Sequence, residues 1–408
     1  MQDSIFGTAE FLLPRKDLIP LWPVIACDQF TSEPDYWREA EEKVGSCPSA
    51  LRLILPEVYL NDGAPERIRG IHLHMKEYLG QGMMEHHPDC FVYVERKLSD
   101  GIIRRGLVGV IDLEAYDPSD TSTAKIRATE RTVPERIPPR MKVRDGACLE
   151  LSHVMLLCDD RDDLILTAAG QATQTLPSYE TELMLGGGSI RGWVLKGDVL
   201  RATLGAVAAY ERAVVLRQGT EHPMLYAVGD GNHSLATAKA LWEKEKAEAA
   251  VPDMRKRYAS VELDNLHDTS IAFEPIHRLL TGVSPEKALE DIKGEIGGGV
   301  GETIPYVAAG NCGSFQMKDT DALPLARVQD VIDRHLTEWG GKVDYIHGED
   351  SLIALAQRPD ALGLLMPPIS KNAFFEAILR NGVLPRKTFS IGHARDKRYY
   401  LECRQIGN

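Results

Sequence analysis

The chain has 408 residues, 43% of them hydrophobic and 26% charged. That length exceeds one ordinary hydrophobic core, so two or three domains, or one large α/β body with insertions, are expected. The formal net charge of -13 argues against nucleic-acid binding, which usually needs a broad basic face, although it leaves room for a local basic pocket.

Cys27, Cys47, Cys90, Cys148, Cys158, Cys312 and Cys403 are scattered, odd in number and without a CxxC pair. A disulfide framework or structural zinc site is therefore not expected, and a reducing cytoplasm is the expected location. Met1-Gln2-Asp3-Ser4 lacks the basic start of a signal peptide. No apolar run approaches the roughly 18 residues that span a bilayer.

In chain order, residues 1–20 read as irregular. Leu21 to Cys27 reads as a strand ending at Asp28. Thr31 or Ser32 is a candidate N-cap for a helix with Tyr36, Trp37, Ala40 and Val44 on one side. Leu51 to Leu55 reads as a strand, and Glu66 to Tyr78 as a helix started by Pro65. Phe91 to Lys97 and Gly101 to Leu113 form an expected hairpin around Ser99-Asp100-Gly101. Thr123 to Thr132 concentrates Lys125, Arg127, Arg131 and Glu130. On a helix, Arg127 and Arg131 would share a face, an arrangement that suits anion binding better than helix stability. The basic, proline-rich stretch 133–146 reads as a long loop or lid.

Leu164 to Ala168 and Gln171 to Leu176 read as short strands. Gly186-Gly187-Gly188-Ser189 lacks the spacing of a phosphate-binding P-loop and reads as a hairpin loop. Asp198 is a candidate N-cap for a helix over Val199 to Leu216. The run Met224 to Val228 reads as a buried strand. Gly229-Asp230-Gly231-Asn232-His233-Ser234 then opens a helix reaching about Ala250. A helix N-terminus carries unpaired N–H groups and the positive end of the helix dipole, so this turn is suited to a phosphate or carboxylate. A helix starting at Ser284-Pro285, strands near 304–308 and 343–347, a helix over Ala326 to Trp339, a buried strand over Ala361 to Met366 and a helix over Lys371 to Arg380 follow. Lys387, Thr388 and His393 form a cationic group before a last strand at Tyr399 to Cys403. The expected fold is mixed α/β. A central mixed sheet wrapped by helices takes residues 1–280, a smaller subdomain takes 281–342, and 343–408 returns to the main body.

Together these motifs resemble the family called domain of unknown function 1015. Gly229 to His233 resembles its Asp-Gly-His-His-Arg signature, with Asn232 in place of the first His and Ser234 in place of the Arg. Gly106 to Gly109 with Tyr116, Thr129 to Thr132, Phe273 to Arg278 and Gly382 to Phe389 resemble its other elements in the same order. The turn also resembles one in free-serine kinases with a ParB/sulfiredoxin-like fold, where such a junction holds phosphate. The resemblance implies a phosphotransferase acting on a small hydroxylated metabolite such as an amino acid. Asp230, Glu130 and His233 are then the candidate catalytic residues. Gly231, Asn232, Ser234, Arg127, Arg131, Lys387, His393 and Asp28 are the candidate ligand and phosphate groups, and Mg²⁺ with a nucleotide or pyrophosphate is the implied cofactor set. Two alternatives stay open: a non-catalytic sensor for an anionic metabolite or nucleotide, and a metal-dependent hydrolase using His233, Asp230 and His393. The expected partner is a small anionic molecule rather than nucleic acid or membrane.

Overall fold

The computed structural model describes residues 4–60, 63–132, 137–320, 323–385 and 387–408. The chain divides into two units, one formed by 1–271 with 393–408 and the other by 272–392. The stretch expected to return to the main body from residue 343 does so only from His393. The reason is pairing: Lys342–His347 and Ala361–Leu364 both pair with Phe273–Thr281.

The first unit is mixed α/β. Its main sheet has ten strands among the described residues. The order is Tyr179–Glu182, Ser189–Val194, Val92–Lys97, Ile103–Asp112, Tyr258–Asn265, Met155–Cys158, Tyr226–Asp230, Ile126–Ala128 and Tyr116–Asp117, with Phe6–Gly7 paired to Ile103–Asp112. Alternation along the strands builds two cores. Val92, Val94, Val108 and Val110 enter one with Trp22, Trp37 and Met75. Tyr93, Leu107 and Ile111 enter the other with Val207, Tyr210, Leu235 and Trp242, from helices Gly197–Gln218 and Asn232–Glu248. A four-stranded sheet joins Met84–Cys90, Ala9–Pro14, Cys403–Gln405 and Leu149–Leu151, and Tyr399–Tyr400 pairs with Val24–Ile25. The C-terminal segment is thereby stitched to the N-terminal one.

The second unit is an antiparallel sheet in the order Asn311–Gln316, Thr303–Ala308, Ala361–Leu364, Phe273–Thr281 and Lys342–His347. Helices Pro285–Ile296 and Pro324–Trp339 contribute Ala288, Ile292, Val328 and Val331 to a core with Leu280 and Leu362 of that sheet.

The hairpin at 91–113, the 186–189 loop, the helix carrying Tyr36 and Trp37, and the strand-turn-helix at 226–248 take their expected forms. Several short elements differ. Phe6–Gly7 and Ala9–Pro14 are strands in the stretch read as irregular, and the strand after Leu21 shortens to Val24–Ile25. Leu51 to Leu53 lies in a 3-10 turn. Leu164–Gly170 is helical, followed by a 3-10 turn over Gln171–Gln174. A short apolar run has no period of its own, and here the buried Ile165 and Leu166 seat a helix. The N-cap of Pro34–Val44 is Glu33, not Thr31 or Ser32, and Asp198 lies in the first turn rather than at the cap.

The paired strands Ile103–Asp112 and Tyr258–Asn265 carry a buried charge cluster. Asp264 is fully buried, neither carboxyl oxygen has a hydrogen-bond partner among the described residues, and Arg104 Nε is 3.8 Å away. Burial, reinforced by the charge of Glu262, raises its carboxyl well above the usual range. A folded-state pKa raised in this way contributes stability that is complete below the unfolded value, about 3.9, and is lost as pH rises toward the folded value. Asp264→Asn cannot ionise. Its stability relative to the wild type is therefore expected to rise from about pH 4 upward, by up to about 1.4 kcal/mol per pH unit. Urea midpoints at a series of pH values check this. A relative loss with rising pH would mean that Asp264 acts as the ionised partner of Arg104.

Candidate functional site

The site forms where separate pieces of the first unit end together. Tyr226–Asp230 and Ile126–Ala128 are parallel neighbours. Gly231 turns the chain with φ 80°, and helix Asn232–Glu248 leaves from it. A Cβ at Gly231 would meet Val154 at 3.1 Å, so this turn needs glycine for both its conformation and its space. Asn232 staples the turn. Its Oδ1 accepts from the Thr129 N–H at 3.2 Å and its Nδ2 donates to Thr129 Oγ1 at 3.3 Å, while Thr129 Oγ1 donates to the Val228 carbonyl at 2.6 Å. Asn232, expected to hold ligand, is thus buried in a structural clamp.

Asp230 Oδ1 accepts from the Gly231 N–H at 3.0 Å, and Oδ2 lies 3.2 Å from Lys397 Nζ. Lys397 is brought in by the C-terminal segment, whose Tyr399 and Tyr400 pair with Ile25 and Val24. The same pairing carries in Asp28, three residues beyond Ile25. Asp28 Oδ2 faces His153 Nε2 at 3.7 Å, and Oδ1 accepts from Gln29 at 3.0 Å. Burial works to raise the Asp28 carboxyl, but His153, Gln29, Lys397 and Arg140 together outweigh it and hold it below the usual carboxylate range. Lys397 therefore acts on two carboxylates, Asp28 and Asp230.

His153 connects the two sides. Its Nε2 shares a hydrogen bond with Ser234 Oγ at 3.1 Å, and its Nδ1 shares one with the Tyr400 hydroxyl at 2.8 Å. Tyr400 also accepts from the Cys27 N–H at 3.2 Å. Burial, with the charge of Asp28 nearby, keeps the Tyr400 phenol protonated by raising it well above its usual value. Burial beside Asp28 pushes the Cys27 thiol up to about 12, which removes it as a thiolate nucleophile at neutral pH. Beyond His153 and Ser234 opens a cavity of about 140 Å³.

Not every expected residue joins this cluster. Arg127 lies in a three-residue strand, Ile126–Ala128, so the helical face shared with Arg131 does not exist. Its guanidinium donates to the Ala124 carbonyl at 2.9 Å and the His222 carbonyl at 2.7 Å, and it is buried. Arg131 is exposed and pairs with Asp120 at 2.7 Å. Glu130 follows Thr129 and is half-buried; His233, half-buried, is the second residue of the site helix. His393 is exposed, ahead of the 3-10 turn Ala394–Asp396. Lys387 belongs to the second unit. His153, Lys397 and Tyr400 carry much of the site and were not singled out from the sequence. The available signals were a lone histidine between two apolar runs and a Lys-Arg-Tyr-Tyr run before the last strand. Among the described residues no three His, Cys, Asp or Glu side chains gather into a metal-holding group.

The fold and site define an α/β protein with a polar cluster around a strand-turn-helix junction. The chain belongs to the family described as Protein of unknown function (DUF1015), whose model matches residues 9–338. No curated protein matches it. A free serine kinase in complex with AMP is similar at TM-score 0.38 and 12% identity, covering 73% of this chain and 90% of that one. A conserved hypothetical protein from Pyrococcus furiosus gives 0.35 and 13%, covering 72% and 90%. SbnI with a C-terminal truncation, from Staphylococcus aureus, gives 0.37 and 10%, covering 70% and 82%. No helix among the described residues is long and apolar enough to cross a membrane.

Proposed function

We propose that the chain is a phosphotransferase acting on a small hydroxylated molecule. The observation that carries this reading is Lys397 set beside Asp230 at the N-terminus of a 17-residue helix, with Asp28 also under its charge. A helix N-terminus and an ammonium together suit a phosphoryl anion, because both stabilise negative charge without reorganising. Asp28, kept ionised, is the group to accept the proton of the acceptor hydroxyl, with His153 to hold it in place. Asp230 orients Lys397, and Glu130 and His233 stand beside the turn as further polar groups. Asp230 suits a Mg²⁺ ion that takes most of its ligands from phosphate and water, since such ions need only one or two protein carboxylates. When bound, that ion would supply further neutralisation of phosphate charge.

The test is a thermal-shift series with pyrophosphate, AMP, ADP and ATP, with and without Mg²⁺, followed by a transfer assay with serine and other alcohols. Stabilisation by at least one phosphorylated ligand is expected, with transfer lost but binding kept in Asp28→Asn. Absence of stabilisation by all of them would sink the reading. Binding with no transfer to any acceptor would make the protein an anion sensor instead.

A further inference from the structure

The pocket behind His153 and Ser234 is unlike a site for a small polar metabolite. Its walls include Leu53, Leu55, Met75, Leu149 and Val154, all buried. The charged residues on its rim are matched: Arg140 pairs with Glu57, and Arg144 meets Glu150 at 2.5 Å. Burial works to raise Glu150, but Arg144 and Arg404 outweigh it, so its carboxylate stays charged and paired. The pocket therefore offers apolar surface rather than spare charge.

One polar atom in the lining stands apart. Ser260 is 3% exposed, and its Oγ has no hydrogen-bond partner among the described residues. Its neighbours are occupied: Ser152 Oγ donates to the Ser260 carbonyl, and Thr237 Oγ1 donates to the His233 carbonyl at 2.7 Å. A buried hydroxyl left unpaired is unfavourable, and a ligand oxygen in the pocket would relieve it. His153, the residue after Ser152, and Ser234 present an imidazole and a hydroxyl next to Asp28.

We infer that the acceptor is an aliphatic alcohol with a second oxygen. Its apolar body fills the pocket, one oxygen meets Ser260, and the reacting hydroxyl lies at His153 and Ser234. This inference rests on the phosphotransferase reading for the fate of that hydroxyl, but the binding itself does not. An aliphatic chain covers the apolar wall, whereas serine or glycerol would leave it wet.

The experiment is calorimetric and thermal-shift titration with 1,2-octanediol, serine and glycerol, with no phosphorylated ligand present. Saturable binding of the octanediol is expected, with serine and glycerol much weaker. Ser260→Ala is expected to weaken it about fivefold, as for loss of one hydrogen bond, and Leu55→Trp to abolish it by filling the pocket. Octanediol without effect, or serine and glycerol binding as tightly, would overturn the inference, as would unchanged affinity in Ser260→Ala. Pyrophosphate is titrated into the same proteins. Its binding to the Ser260→Ala and Leu55→Trp variants reports on the phosphate side alone, so failure of the pocket and failure of the phosphotransferase reading separate.

Discussion

Replacing Arg398 by alanine is expected to destabilise the first unit by about 3–5 kcal/mol, the usual cost of removing one partner from a buried ion cluster. Arg398 bonds Glu262 through Nη1, Glu402 through Nη2 at 2.5 Å, and the Ser152 carbonyl through Nε at 3.1 Å. All three charged side chains are buried. Burial works to raise Glu262, but Arg398 and Arg104 outweigh it and hold its carboxyl below the usual range. A depressed folded-state pKa contributes stability that is present above the unfolded value and is lost as pH falls through the folded one. Without Arg398, Glu262 keeps only Arg104 at 3.9 Å and Glu402 only the Tyr179 hydroxyl, so both are undercompensated or take up protons. Urea unfolding followed by Trp22 and Trp37 fluorescence measures the loss. Adding Glu262→Gln and Glu402→Gln to an Arg398→Met background is expected to recover part of it, because the uncompensated charges are gone. A loss under about 1 kcal/mol in Arg398→Ala would mean that the cluster is hydrated and that its charges are not desolvated.

This cluster also holds the site. Arg96 donates to the backbone carbonyls of Arg395, Asp396 and Lys397, and Arg104 donates to that of Asp396 at 2.7 Å. Arg398 lies between Lys397 and Tyr400. Three arginines therefore fix the short segment that delivers the ammonium to Asp230 and the phenol to His153. An Arg398 variant should weaken ligand binding as well as the fold, whereas Asp264→Asn should change stability alone.

The legible part of the site is the local part. The Asp230–Ser234 turn was readable because a buried strand, two glycines bracketing an acid and a long helix are consecutive in sequence. Asp28 was readable as an acid at a strand end. His153, Lys397 and Tyr400 were not, because their roles come from pairing across the chain: Cys27 and Tyr400 touch although 373 residues apart. No periodicity encodes that contact. Arg127 was misplaced for the same reason, since its strand exists only through pairing with Tyr226 to Val228. The fold class was carried by long patterned elements, whereas Leu164–Gly170 and Ala50–Leu53 were too short to declare their type. The unit boundary was missed because strands 342–347 and 361–364 pair back to 273–281, a register that hydrophobicity alone does not specify.

Lys397→Met is expected to weaken pyrophosphate binding by about 10- to 100-fold, the range for losing a hydrogen bond between charged groups. The sign follows from the surroundings. Lys397 Nζ is 3.2 Å from Asp230 and its charge also lowers Asp28. Methionine keeps the length of the side chain but leaves two carboxylates facing the position proposed for phosphate, so attraction turns into repulsion. Asp28 also loses part of what offsets its burial, so its pKa moves up. Any transfer activity that needs the Asp28 carboxylate should then shift its acid limb to higher pH. Lys397→Arg keeps the charge and should retain most of the binding, although its planar head fits the spot less well. Calorimetry at two salt concentrations is the measurement. Wild-type affinity should fall with added salt, and Lys397→Met should show a weaker dependence because one charge contact is gone. Unchanged affinity in Lys397→Met, with the folded state verified by circular dichroism, would remove Lys397 from the phosphate site and with it the observation on which the phosphotransferase reading stands.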